Sequence, residues 1–329
     1  MKWILGVVAL VAVVAVTAVV AVSCSGGQGN NNGGGSAPTS GSNSGIASAN
    51  DTGPVSVITE DPSCAPWRPI NDTLANSMKN GWDKRDPSIP ASQWTPEMQA
   101  MYQTVGAALR NSADQAVPLI KLTTHRVMRE LYQQYVIYSR QFADKVSTYS
   151  ANDNYLATVG VTAGSVIENI CEAISFGSAA ARAPLVAAVD SPSNVAPVGD
   201  VSNPTQFMSV PNSQCASWRD SVEQMESDPA YVAWNKEDAN IPASDWSPQY
   251  RSENDAVKTV LTRAADALEK IVRQSGNPVM EDFGLLAAQY GRAYVQGIPT
   301  YTNADLKLFN VFRRTQGVVN YACQAAGVN

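Results

Sequence analysis

The chain states one pattern twice. Cys64-Ala65-Pro66-Trp67-Arg68 returns as Cys215-Ala216-Ser217-Trp218-Arg219, 151 residues on, and Ile89-Pro90-Ala91-Ser92-Gln93-Trp94 returns as Ile241-Pro242-Ala243-Ser244-Asp245-Trp246, 152 residues on. The closing cysteines, Cys171 and Cys323, keep the offset of 152. A duplication held so evenly through 329 residues implies two copies of one unit, each long enough to bury a core of its own.

Inside each copy the apolar period is that of a helix. Thr95-Pro96 and Ser247-Pro248 each place a hydroxyl cap before a proline suited to the first helical position. Met98, Met101, Val105 and Leu109 follow in one copy, and Tyr250, Val257, Leu261, Ala264 and Leu268 in the other. Met128, Leu131, Tyr135, Tyr138 and Phe142 then run at alternating spacings of three and four, matched by Met280, Phe283, Ala287, Tyr290 and Tyr294. Ser150 with Asp153 and Thr302 with Asp305 are paired capping boxes that open a last helix carrying the second cysteine. A shorter helix and loop precede, at about 70–82 and 219–235, and strand signals are nearly absent. The prediction is an all-α chain of two tandem homologous helical bundles, at 60–178 and 213–329. An Ala-, Val-, Pro- and Ser-rich semi-extended linker at 179–212 joins them. Whether the bundles pack on each other is left open.

The N-terminus is a targeting segment. Lys2 precedes an unbroken apolar run from Trp3 to Val22, closed by Ala21-Val22-Ser23-Cys24. This resembles the lipobox of bacterial lipoproteins, which implies a signal peptide over 1–23, acylation of Cys24 and attachment of the chain to a membrane by lipid. Residues 24–59, rich in Gly, Ser and Asn, then read as a flexible tether. An alternative is an uncleaved signal-anchor, since twenty apolar residues span a bilayer. Either way the rest of the chain lies outside the cytoplasm. With the low charge and the Ala/Val-rich linkers, the segment looks like that of a mycobacterial-type actinobacterial cell-envelope lipoprotein, which implies an envelope role and names no activity.

Five cysteines in an exported chain leave one over. With Cys24 lipidated, four remain, two per copy at equivalent places, and of three connectivities the natural pairing is Cys64 with Cys171 and Cys215 with Cys323. Each bridge closes a loop of roughly 100 residues, worth at most about 4–5 kcal/mol.

Twenty-three basic against 29 acidic residues give a net charge of −6, which argues against a nucleic-acid partner. Polar residues shared by both copies are few: Arg68/Arg219, Lys84/Lys236, Asp86/Asp238, Ser92/Ser244, Asp114/Asp266 and Arg140/Arg292. Lys84 and Asp86 stand just before the Ile-Pro-Ala-Ser loop, so with Ser92 and Arg68 they form the candidate binding surface, repeated as Lys236, Asp238, Ser244 and Arg219. Capping and surface ion pairs are the competing role for such residues. The paired tryptophans read as anchors pinning the irregular segments, with a ligand platform as the alternative. His125, which faces Asn277 in the second copy, reads as an ordinary polar residue near a helix start.

No nucleophile elbow, zinc-protease, Cys-x-x-Cys or phosphate-loop motif occurs, so no catalytic residue, metal or cofactor is expected. The sequence thus points to a lipid-anchored, non-catalytic binding or scaffold component contacting an envelope protein or glycan. A carrier of an apolar small molecule such as a lipid or haem, and an envelope enzyme with a site in one repeat, are the alternatives.

Overall fold

A computed structural model describes residues 45–327. The signal segment and Cys24 lie outside the described residues. The first copy contains α1 (Cys64–Ser77), α2 (Pro96–Leu122), α3 (Arg126–Lys145), α4 (Asn154–Ser175) and the short α5 (Ser178–Arg182). The second contains α6 (Cys215–Ser227), α7 (Pro229–Trp234), α8 (Pro248–Val272), α9 (Pro278–Gly297) and α10 (Leu306–Ala325). No strand occurs among the described residues.

The caps do what the sequence asks of them. Thr95 Oγ1 and Ser247 Oγ accept from the backbone N–H groups of Met98 and Tyr250 at 3.3 and 3.0 Å. Both capping boxes form, each through one turn of 3-10 helix before α4 or α10. The short first helices begin earlier than the apolar pattern suggests, at the cysteines themselves. The cause is the turn ahead of them: Asp61 Oδ1 accepts from Ser63 N, and Asn212 Oδ1 from Gln214 N, both at 2.9 Å. Disulfides Cys64–Cys171 and Cys215–Cys323 then tie each first helix to its last, closing 107 and 108 residues of chain.

The two copies do not stand apart. They form one compact unit. Its largest helix interface joins the equivalent helices α4 and α10, which run antiparallel. Lys307 Nζ at the start of α10 lies 2.8 Å from Glu172 Oε2 at the end of α4. At mid-length a Cβ on Gly317 would meet Thr162 at 3.3 Å. The second junction is α3 against α9, and its residues are charged. Arg126 Nε and Nη2 donate to the two oxygens of Asp282 at 2.7 and 3.0 Å, and both side chains are essentially inaccessible to water. Arg129 and Glu130 are buried beside them, 4.0 Å apart. Glu130 and Asp282 are themselves equivalent positions, so the crossing brings two carboxyl groups together. Burial, and next the Asp282 carboxylate, hold the Glu130 carboxyl far above its ordinary range against the pull of Arg129.

Every residue from Arg126 to Val136 is buried, because chain segments cover the sides of α3 that α2 and α4 leave bare. The tether expected to reach residue 59 gives way well before that to a packed arm, in which Ser48, Val55, Val57 and Ile58 are buried. Arg126 Nη1 and Nη2 donate to the carbonyls of Asp51 and Gly53, and Arg129 Nη1 to that of Ser48. The segment between the copies is pinned in the same way. Gln133, Gln134 and Tyr138 on α3 donate to the carbonyls of Val198, Thr205 and Met208, and Arg273 to those of Asp190 and Ser191. It is therefore irregular yet fixed, with Val198, Val201 and Met208 buried.

These contacts cross between copies. The arm before the first copy gives its Ile58 N–H to Tyr290 Oη of α9, at 3.2 Å, while the segment before the second copy accepts from Tyr138 Oη of α3. Tyr138 and Tyr290 are equivalent. Each copy's lead-in segment thus braces the other copy's central helix.

Two outcomes follow for urea denaturation. Asp282→Asn leaves the buried Arg126 with only the more distant Asp51 carboxylate, at 3.6 Å, and is expected to lower stability by about 3 kcal/mol, whereas the exposed Asp86→Asn shifts it by less than about 0.5 kcal/mol. A carboxyl whose folded value lies above its ordinary 4.5 contributes its stability fully below pH 4.5 and loses it as the pH climbs toward the folded value. Glu130→Gln is therefore expected to match the parent at pH 4 and to exceed it at pH 7. Equal curves at both pH values would refute the assignment.

Candidate functional site

The repeated loops ahead of α2 and α8 are held by aromatic rings. In the first copy Tyr149 Oη donates to Pro87 O at 2.7 Å, and Tyr149 O accepts from Ala91 N at 2.9 Å. In the second, Tyr301 Oη donates to Ala239 O at 2.6 Å and Tyr301 O accepts from Ala243 N at 3.0 Å. Trp94 and Trp246 each donate Nε1–H to the isoleucine carbonyl five residues back, at 2.9 Å, which closes the loop on itself. Trp94 stacks on Tyr102 with ring centroids 3.9 Å apart, and Trp82 meets Tyr102 and Phe142 edge-on. The guanidinium of Arg85 lies 3.4 Å over Trp82, and burial lowers its pKa. Trp67 and Trp218 are fully buried under the disulfide-bearing helices. The rings act as the anchors that shape the loops.

On this scaffold Lys84, Asp86 and Ser92 are exposed, as are Lys236, Asp238 and Ser244. Asp86 Oδ1 accepts from the backbone and hydroxyl of Ser88 at 2.9 and 2.6 Å, and these bonds lower its pKa. Asp238 Oδ1 accepts from the backbone and amide of Asn240 at 2.9 and 2.8 Å. Each loop therefore presents a lysine, a fixed carboxylate and a serine.

Arg68 is elsewhere. Arg85 Nη2 donates to Asn154 Oδ1 at 2.6 Å, which fixes the loop at the start of α4. Arg68 acts instead on Glu168, fourteen residues along that helix, or about 20 Å away. Glu168 is pushed up to about 7, by burial first and Glu172 next, with Arg68 opposing. Arg219 is half-buried on α6. The two loops are far apart as well, because each sits at the start of α4 or α10, and those helices are antiparallel and on the order of 30 Å long.

The other shared polar residues are spent on the fold. Arg140 and Arg292 pair with Asp114 and Asp266 at 2.7 and 2.6 Å. Asp305 closes its capping box and accepts two bonds from Arg182, both 2.9 Å, which clasps α5 to the start of α10. His125 Nε2 lies 3.0 Å from Glu60 O, just ahead of α3.

Two concave places stand out. One, of about 490 Å3, lies beside the N-terminal arm around Asp51, His125 and Arg126. The other, of about 500 Å3, lies between α2 and α3 next to the Ile-Pro-Ala-Ser loop, lined by Trp94, Gln99, Gln103, Gly106, Asn111 and Val146 among others. Agreement between the copies does not reveal the second cleft. It shows in their differences, since Gly106 and Gln99 face Lys258 and Arg251. Among the described residues no group of three His, Cys, Asp or Glu is placed to hold a metal ion, and no helix is long and apolar enough to cross a membrane.

The family model described as Mycobacterial ESX-1 associated protein matches residues 46–327, close to the whole of the described unit and including the arm. An uncharacterized protein of Mycolicibacterium smegmatis (strain MKD8) is 44% identical over 331 residues, covering 99% of this chain and 86% of the relative. No solved structure matches the chain.

If Arg68 acts on Glu168 as its position implies, Arg68→Met raises the Glu168 pKa above about 7, while Lys84→Met leaves it in place. Carboxyl carbon NMR titration reads both, and identical titrations in the two variants would exclude an influence of Arg68 on Glu168.

Proposed function

This chain belongs to the mycobacterial ESX-1 associated proteins, and we propose that it is a lipid-anchored, non-catalytic binding component on the outer face of the cell membrane. It serves the secretion system for which the family is named. Two disulfides carry this reading. Structural disulfides persist in oxidising compartments, and with these four cysteines paired, Cys24 in its lipobox-like setting is the fifth. The shared polar residues support the non-catalytic part, because Asp114, Arg140, Asp266, Arg292 and Asp305 are engaged in ion pairs and caps that hold helices. What both copies leave for a partner are the exposed Lys-x-Asp loops, one at each end of the unit.

Two surfaces on the order of 30 Å apart suit one extended partner, or two partners held at a fixed spacing. A rigid two-ended adaptor gains avidity only where both ends can engage together. Its partner is an envelope or secretion component reached from the membrane by the segment ahead of the arm.

Cell fractionation and crosslinking test this reading. Cys24→Ser is expected to move the protein from the membrane to the soluble fraction. Crosslinking in intact cells is expected to capture a secretion-system or envelope component, with capture reduced several-fold by Lys84→Ala/Asp86→Ala. A Cys24→Ser protein that stays on the membrane refutes the lipid anchor, and undiminished capture by the loop variant refutes the loop surface.

A further inference from the structure

In the cleft between α2 and α3 the copies disagree residue by residue. In the first copy Gly106 lets Val146 pack directly onto α2 as the cleft's floor, since a Cβ there would stand 2.8 Å from a Val146 methyl. The second copy has Lys258 there, paired with Asp255 at 2.6 Å. In place of Gln99 it has Arg251, whose Nη2 donates to Ala243 O at 2.9 Å and whose guanidinium lies 5.9 Å from the Trp246 ring. Trp246 is buried accordingly, whereas Trp94 is only half-buried and lines the open cleft. The same fold thus carries an open neutral cleft in one copy and a charged, self-paired surface in the other.

We infer that the first-copy cleft binds a short segment of neutral glycan. This deepens the reading of the chain as an envelope binding component and rests on it. The volume of about 500 Å3 falls within the range of small-ligand clefts. The side-chain amides of Gln99, Gln103 and Asn111 make no hydrogen bond within the described protein, and each both donates and accepts, as sugar hydroxyls do. Arg110, at the rim, is already paired with Asp144. No lining charge is left over to select a phosphate or a lipid headgroup. The ring of Trp94 and the Val146 methyls supply the apolar contact that the C–H face of a sugar requires. An apolar peptide helix would cover the three amides without satisfying them, at a cost of about 1–3 kcal/mol for each buried group.

The test uses the full chain with three probes, cellotriose, maltotriose and chitotriose, and follows the Trp94 indole signal by NMR. At least one is expected to shift that signal with a Kd in the millimolar range. Gln99→Arg/Gln103→Asp, which installs the second copy's residues at two exposed positions, is expected to weaken binding about tenfold with an unchanged thermal midpoint. A Trp94 signal unmoved by all three sugars, or equal affinity in the Gln99→Arg/Gln103→Asp protein, overturns the inference. A benzophenone side chain at position 103 that captures a protein in cells overturns it too. In each of those cases a partner still captured through Lys84 and Asp86 leaves the binding-component reading intact. Loss of that capture as well would sink both.

Discussion

Two guanidinium groups and two carboxyl groups are shut away from water where α3 crosses α9, and the rest of the molecule is arranged around that enclosure. Charges in such a place cost more than they return unless each is paired and hydrogen-bonded. A simple duplication would have set like against like at the crossing, as Glu130 and Asp282 still show. The copies escape by differing. Pro278 stands opposite Arg126 in the repeat and Glu281 opposite Arg129, so that one pair of arginines serves both carboxyl groups. Asp282 takes the bidentate bond, and burial with the Asp282 carboxylate raises the Glu130 pKa well above its ordinary value. Carbonyls of the arm at Asp51, Gly53 and Ser48 meet Arg126 Nη1, Arg126 Nη2 and Arg129 Nη1, while Arg129 Nε and the Glu130 oxygens are left without a hydrogen-bond partner in the protein. The arm is therefore held by the charges, and the charges are tolerable because of the arm.

Much of this fold is legible in the sequence, and the legible parts share a cause. Caps, apolar stripes and paired cysteines are local or periodic, and their physics acts within a few residues or at a fixed offset. Thr95, Ser247, Ser150 and Thr302 all cap where a hydroxyl and its downstream partner say they should. The arm and the inter-copy segment are not legible, because side chains hold them by their main-chain carbonyls, and a carbonyl carries no sequence. The charged residues of α3 mislead for a related reason. Arg126, Arg129 and Glu130 occupy what the period marks as a polar face, and the crossing of α9 together with the arm buries it.

The candidate loops divide in the same manner. Lys84, Asp86 and Ser92 lie together because one loop carries them and aromatic anchors fix that loop. Arg68 is close in sequence, but a helix takes it to the far end of α4. Similarity between the copies marked scaffold as often as surface, since Asp114, Arg140 and Asp305 serve packing. The departures, Gly106 against Lys258 and Gln99 against Arg251, mark the place where the surfaces of the two halves differ.

The crossed lead-in segments have a mechanical consequence. Tension arriving from the residues before 45 enters the fold first through Ala47, Ser48 and Asp51, whose bonds run to Lys121, Arg129 and Arg126. Farther along, the same strand of chain is fastened to Tyr290 in the other half. A pull on the N-terminus is thus loaded in shear across the centre of the molecule and shared between both halves. It does not peel one helix at a time from an end.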